Sequence, residues 1–322
     1  MKPGYRIAAI LFAATVTAPS SAAEWSPNRP LRFIVGFPPG GATDLVARLL
    51  QPKLTAGLGS QVIVDNRPGA NGVISLQTLT NAEPDGNTFA MSHFGALIVS
   101  PAIQKVPYDP IGGFTHLGML VTLQNILIVH PSVAAKSLND FLGMARSQPG
   151  KVNYASSGVG SPGHLATALM ERMTGVSLNH VPYKGGGPAI TDLLAGHVPA
   201  FMAVISTGVP HVRSGKARAL AVTGANRAEA LPDVPTMAEA GVKGYAAVNW
   251  YGLSAPLKMP AAIVQRLNKE FKAALSAPDL VQQLKDRGID SSFSTGPEYV
   301  DFIHAEQKRW APVIKGSKLG PS

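Results

Sequence analysis

One unit of chain order occurs twice in this sequence, and that repetition restricts the fold more than any other feature. Leu31 to Gly36 is a short apolar run leading into the loop Phe37-Pro38-Pro39-Gly40-Gly41-Ala42. A helix is expected from Thr43, because Leu45, Val46, Leu49, Leu50 and Leu54 recur at helical spacing and Gly57 falls near the end. Pro52 lies inside that stretch and marks a place for a kink or an early stop. A second strand, Gln61 to Asp65, a second Gly-rich loop, Asn66 to Gly72, a short helix, Val73 to Asn81, and a strand, Thr88 to Ser92, complete the unit.

The same order returns in the middle of the chain. Strand Val152 to Ala155 enters the loop Ser156 to Gly163, and a helix with Leu165, Ala168, Leu169 and Met173 on one face ends at Gly175. Strand Ser177 to Pro182, the loop Tyr183 to Gly187, a helix opened by Pro188 and the strand Pro199 to Ile205 follow. Two such copies predict an α/β fold with two similar lobes built on parallel sheets. The strand-like runs Gln124 to His130 and Ala246 to Leu253 connect the copies, and helical patterns follow the second run. Those helices are too few for a domain of their own, so they are assigned to the first lobe. The expected division is a leader over 1–23, one lobe from 24–124 with 248–322, and a second lobe over 125–247. Two chain crossings, near Asn125 and Val248, then form a hinge. The Gly loops face the interlobe cleft from the carboxyl ends of the strands, where open α/β sheets place ligands.

Composition narrows the function. With 45% hydrophobic and 15% charged residues the chain can bury a large core, and the absence of Cys excludes disulfides, thiolate metal sites and a cysteine nucleophile. The net charge of +9 is spread along the chain with no run of three basic residues, so nucleic acid is not an expected partner. At the N-terminus, Lys2 and Arg6 precede the apolar run Ile7 to Val16, and Ser21-Ala22-Ala23 supplies a small-residue cleavage site. Cleavage is expected after Ala23, leaving a freely diffusing, exported, periplasmic protein with net charge +7.

Three of the four Gly loops run directly into a helix: Gly40-Gly41 before Thr43, Gly160 to Gly163 before His164, and Gly185 to Gly187 before Pro188. A helix start presents unpaired N–H groups and a partial positive charge, and glycine lets a ligand approach the backbone. An anion fits that setting. Ser156, Ser157 and Ser161 add hydroxyls to the second-lobe loop. Asp44 is read as a favourable first-turn charge, with a ligand or interlobe role as the alternative. His164 either touches ligand or lies on the helix surface.

Enzyme motifs do not complete themselves. Gly158-x-Gly160-x-x-Gly163 has the spacing of a dinucleotide fingerprint, yet the next strand ends in Val181-Pro182-Tyr183-Lys184 without an acid for a ribose. Lys184 precedes the glycines and is out of register for a phosphate loop. There is no Gly-x-Ser-x-Gly elbow, and the eight histidines lack metal-binding spacing. No catalytic residue, metal or cofactor is therefore assigned.

Several long motifs in order resemble those of the Bug-type (TctC-type) periplasmic solute receptors of tripartite tricarboxylate transporters. They are Phe37-Pro38-Pro39-Gly40-Gly41-x-x-Asp44, Asp65-Asn66-Arg67-Pro68-Gly69-Ala70-Asn71-Gly72, Pro84-Asp85-Gly86-x-Thr88, Tyr154-Ala155-Ser156-Ser157-Gly158-x-Gly160-Ser161-x-x-His164-Leu165, Val181-Pro182-Tyr183-Lys184-Gly185, and Pro232-Asp233-Val234-Pro235-Thr236-x-x-Glu239-Ala240-Gly241. The resemblance spans essentially the whole mature length. It implies a type II periplasmic-binding-protein-like fold, two α/β lobes closing on a small carboxylate. It also implies a monomer that delivers a di- or tricarboxylate or related acid to membrane permease subunits. A receptor that presents the acid to a two-component sensor kinase is one alternative, and a secreted enzyme acting on a carboxylate is another.

Carried over position by position, the resemblance makes Phe37, Pro38, Gly40, Gly41, Ala42, Thr43 and Asp44 one wall of the carboxylate site, partly through ordered water. Ser156, Ser157, Gly158, Gly160, Ser161 and His164 make the opposite wall. Tyr183, Lys184, Gly186 and Pro188 close over it, and Met202 and Ala203 meet the variable end of the ligand. Pro199 and Ala203 stand where many members carry acidic or polar residues, which argues against an ammonium at that end. Asn87 replaces a usual Tyr and is expected at the surface, away from the ligand.

Overall fold

A computed structural model describes residues 25–317. The expected leader and its cleavage site lie outside the described residues. The elements are β1 (Leu31–Val35), α1 (Ala42–Leu58), β2 (Val62–Asn66), α2 (Val73–Thr80), β3 (Thr88–His93), a π-helical turn (Gly95–Val99) continuing into α3 (Ser100–Ile103), and β4 (Phe114–Val129). Then come α4 (Leu138–Ser147), β5 (Asn153–Ser156), α5 (Pro162–Thr174), β6 (Asn179–Pro182), α6 (Gly186–Leu194), β7 (Ala200–Val204), α7 (Ile205–Arg213) and β8 (Arg218–Val222). Last are β9 (Val248–Pro256), α8 (Ala261–Ser276), α9 (Pro278–Lys285), β10 (Ile289–Ser291) and α10 (Gly296–Gly316).

Both repeated units form, and they give the molecule its two lobes. The first places β1 between β2 and β3 in parallel, with Leu31 opposite Val62 and Arg32 opposite Thr88. The second pairs β5 with β6 and β7, again in parallel. The expectation of parallel sheets holds only for these cores. β9 runs antiparallel to β3 and β4, and β4 runs antiparallel to β7, β8 and β10. The reason is connectivity: chain that passes between lobes returns in the reverse direction.

β4 is far longer than the expected Gln124 to His130 run. Its first part pairs with β9 as far as Gln124 opposite Val248, and from Asn125, opposite Val204, it pairs with β7 instead. One continuous strand thus changes partners at the position where the crossings were expected.

The later helices pack against the strands of the first repeated unit. Phe271 of α8 sets its ring edge-on to Phe33 and Phe89, with centroids 6.0 and 5.5 Å away. Tyr299 of α10 is buried and hydrogen-bonds Ser92 of β3 at 3.0 Å. Helix α1 runs through Pro52 without ending and stops at Gly59, whose φ of 68° closes the last turn onto Thr55 O. Asn87 is not at the surface as expected. It is buried, and its side chain donates to Asp85 and Asn28, which fixes the turn before β3.

Candidate functional site

The first turns of four helices meet at one cavity between the lobes. Ala42 and Thr43 open α1, Pro162 opens α5, Gly186, Gly187 and Pro188 open α6, and Thr207 lies in the first turn of α7; all of them line it. Gly41, Gly185 and Val204 precede α1, α6 and α7 and offer no side-chain cap, so the first N–H groups of those helices have no such partner. The starts of α2, α3, α8 and α9 also lack a side-chain cap, whereas α4 and α10 carry full capping boxes, Ser137 with Asp140 and Thr295 with Glu298; what sets α1, α6 and α7 apart is that their starts converge on the cavity. Pro188 falls in the first turn of α6, where its missing N–H costs nothing.

No Asp, Glu, Lys or Arg is among the residues that line this inner cavity. Its remaining wall includes Phe37, Pro38, His93, Ser157, Phe201, Asn249 and Tyr251. Uncompensated helix starts in a site without formal charge suit a bound anion, because about half a positive charge gathers at each helix N-terminus. The cavity is small, about 30 Å³. That is room for a group the size of a carboxylate.

The loops that bring the lobes together touch. Asn71 Nδ2 donates to Gly160 O at 2.9 Å. Pro38 packs against Gly185 so closely that an added Cβ there would lie 3.2 Å from Pro38 Cδ. This is a closed arrangement.

Behind the first loop, Asp44 is buried and acts as its anchor. Its carboxylate accepts from Gly40 N–H at 3.0 Å, Arg48 Nε at 2.8 Å and Asn66 Nδ2 at 3.0 Å. Asn66 Nδ2 also donates to Phe37 O at 2.9 Å. Burial raises the carboxyl's pKa, but the hydrogen bonds from Arg48, Gly40 and Asn66 outweigh it and hold the group below its ordinary value. Asp44 therefore shapes the loop without lining the cavity.

The second-lobe loop has an equivalent internal frame. Gly160 N–H donates to His164 Nδ1 at 3.1 Å, and the His164 ring stacks on His180 with centroids 3.8 Å apart. His180 Nε2 lies 2.6 Å from Ser156 Oγ, which in turn bonds Gly158. Burial, reinforced by His180, lowers His164 to about 3, and burial lowers His180 to about 4, so both imidazoles are neutral. Ser161 caps α5 by accepting from His164 N–H.

The residues expected from sequence therefore separate into four groups. Phe37, Pro38, Gly41, Ala42, Thr43, Ser157, Gly186 and Pro188 line the inner cavity. Gly158, Tyr183 and Lys184 line a second, outer cavity of about 630 Å³, which also includes Phe37, Pro38 and Ser157 in its wall. Gly40, Asp44, Ser156, Gly160, Ser161 and His164 lie behind those walls and hold the loops. Met202 and Ala203 are buried in β7 opposite Leu127 and Ile126, and Phe201 and Val204 line the cavity in their place.

Sequence reasoning did not place His93, Asn249, Tyr251 or Thr207 in the site. His93 is 1% exposed, packs against Phe37 with the rings tilted at 48° and centroids 5.1 Å apart, and its Nε2 has no hydrogen-bond partner. Burial lowers its pKa to about 4. Tyr251 bonds Thr43 and receives a long contact from Asn249 Nδ2 at 3.5 Å. Both stand on β9, just past the crossing at Val248, and that crossing is the signal that could have located them. Among the described residues no group of three or more His, Asp or Glu could hold a metal ion, and no helix is long and apolar enough to cross a membrane.

Comparison with known proteins bears on this geometry. A family model described as tripartite tricarboxylate transporter family receptor matches residues 46–319. Protein BugT of Bordetella pertussis is 36% identical over 96% of this chain and 96% of its own length. A solved R. palustris protein with adipate superposes with a TM-score of 0.87 at 34% identity, covering 90% of this chain and 97% of that one. MatC from Rhodopseudomonas palustris with bound malate gives 0.84 at 31% identity, covering 89% and 99%.

Proposed function

The chain belongs to the tripartite tricarboxylate transporter receptor family of periplasmic binding proteins, and from that premise we propose that it captures a small organic acid between its lobes and delivers it to a membrane permease. The observation that carries this reading is the convergence of the uncapped starts of α1, α6 and α7 on an uncharged cavity. In the open state the cleft admits the acid. Closure sets one carboxylate against the backbone N–H groups of Ala42 and Thr43 on one side and of Gly186 and Gly187 on the other, with the Ser157 hydroxyl beside them. Charge-assisted bonds in a site closed to water are stronger than their neutral counterparts.

The lobes hinge where β4 and β9 cross, one lobe being 25–124 with 248–317 and the other 125–247. The strand that changes partners between Gln124 and Asn125 supports that division. The closed outer face is what the permease reads. The relatives that carry adipate and malate support a di- or tricarboxylate or a related organic acid as cargo. No side chain is assigned a catalytic role, and the acid leaves as it came.

A thermal-shift panel of organic acids tests the reading. Ligand at about 100 times its Kd adds roughly 2.7 kcal/mol to the folded state, so a bound acid raises the melting point visibly. A panel of di-, tri- and monocarboxylates that leaves the midpoint unmoved, or an acid consumed during incubation, contradicts it.

A further inference from the structure

The inner cavity matches a carboxylate in size and cannot hold the rest of an acid. At about 30 Å³ it has space for one or two oxygen-sized groups. The outer cavity is about 630 Å³, within the range of ordinary small-molecule sites. The two share Phe37, Pro38 and Ser157, so a molecule anchored in the first lies beside the second.

We propose that the outer cavity is a subsite for the apolar body of the cargo, and that the acid this protein carries is a hydrophobic carboxylate, aryl or alkyl, in preference to a hydroxylated one. The inference rests on the reading of the inner cavity as a carboxylate site. Its walls come from both lobes: Pro68, Ala70 and Ile103 from one, Val159 and Tyr183 from the other. Val159 is a large apolar side chain that remains 42% exposed although it sits in the closed cleft. Apolar surface left uncovered between closed lobes is the surface a ligand's hydrocarbon would cover. Polar demands on the cargo are few. Lys184, exposed at the edge and without an ion-pair partner among the described residues, is the single formal charge in the lining, and its sign agrees with an acid. Of the uncharged polar side chains in the lining, Asn71 has its amide nitrogen committed to Gly160 and Tyr183 its hydroxyl to Asp192, which leaves Ser100, Gln104 and Ser157 to meet polar groups of the cargo. Hydroxyls that face Pro68, Ile103 and Val159 would lose hydration without a hydrogen bond from those side chains, whereas each methylene placed there tightens binding about fourfold.

Calorimetry with octanoate, benzoate and malate tests this on the wild type and on Val159→Asp and Val159→Ser. The exposed position of Val159 lets both variants fold, which a thermal melt verifies. The expected result is binding of octanoate or benzoate at least tenfold tighter than malate. Val159→Asp should weaken the apolar acids tenfold or more, and the uncharged Val159→Ser should weaken them less but measurably. Malate binding tighter than both apolar acids, or apolar acids indifferent to Val159→Asp, overturns the subsite while leaving the receptor reading intact. Absence of binding by any acid overturns both.

Discussion

Asn71 reaches across the cleft and donates its side-chain amide to the backbone carbonyl of Gly160, 2.9 Å away. The two residues belong to different repeated units, and this hydrogen bond ties the loop after β2 to the loop before α5. Asn71 holds a left-handed conformation, φ 52° and ψ 42°, which Asn and Asp tolerate better than most residues. Asn71→Asp therefore keeps the backbone while removing the donor and facing a carboxylate to Gly160 O. A neutral hydrogen bond contributes about 1 kcal/mol, so cargo affinity is expected to fall about five- to tenfold. Calorimetry measures the loss, and the ligand-free melting point should stay close to wild type.

Gly41 tests the backbone approach. Its φ of −81° is open to any residue, and the nearest atom to an added Cβ is Pro38 O at 3.6 Å. Gly41→Val should therefore fold normally, yet its side chain enters the inner cavity and abolishes binding. Unchanged affinity by calorimetry in that variant would remove the first loop from the site.

Asp44 is expected to act through loop geometry and through pH. Its folded pKa lies below the ordinary 3.8, so the stability it supplies is present above that value and is lost as pH falls through the folded pKa. Asp44→Ala leaves Gly40 N–H, Asn66 and Arg48 without their shared acceptor and should cost about 2–3 kcal/mol at neutral pH. Denaturant melts should show the variant and the wild type converging in acid.

Three buried histidines and the half-buried His180 set a second pH dependence. Burial lowers His93, His116 and His180 to about 4, and burial with His180 nearby lowers His164 to about 3, against an ordinary 6.5. Between about 4 and 6.5 the unfolded chain binds more of these protons than the folded one, so stability rises with pH across that window. The melting point should fall as pH drops from 6.5 to 4. His93→Asn should make that slope shallower, and an equal slope would place His93 in contact with water.

Much of this architecture was legible because it is written locally. A glycine loop followed by leucines at helical spacing announces a strand-to-helix turn, and its recurrence at Gly41 and Gly185 announced a pair of lobes. Direction and distance were harder to read. Nothing in the run from Phe114 onward announces that β4 extends over 16 residues and changes partner midway, because pairing is decided by strands remote in sequence. His93, Thr207 and Asn249 reach the cavity in the same way, from the ends of elements in three separate parts of the chain. Their neighbours in sequence look like core. Asp44 and His164 stand beside the loops, and their carboxylate and imidazole face the loop backbones at Gly40 and Gly160, a matter of side-chain direction that spacing does not reveal. The choice of Met202 and Ala203 over Phe201 and Val204 turned on where β7 gives way to α7, a boundary of one residue.

In the proposed receptor, uncapped helix starts hold the carboxylate. A crystal structure of the protein with the acid that gives the largest thermal shift tests it most directly. The expected result is a closed cleft with carboxylate oxygens within about 2.7–3.2 Å of backbone nitrogens at the starts of α1 and α6. An acid seated elsewhere, or held by side-chain cations with those nitrogens unengaged, would contradict the claim.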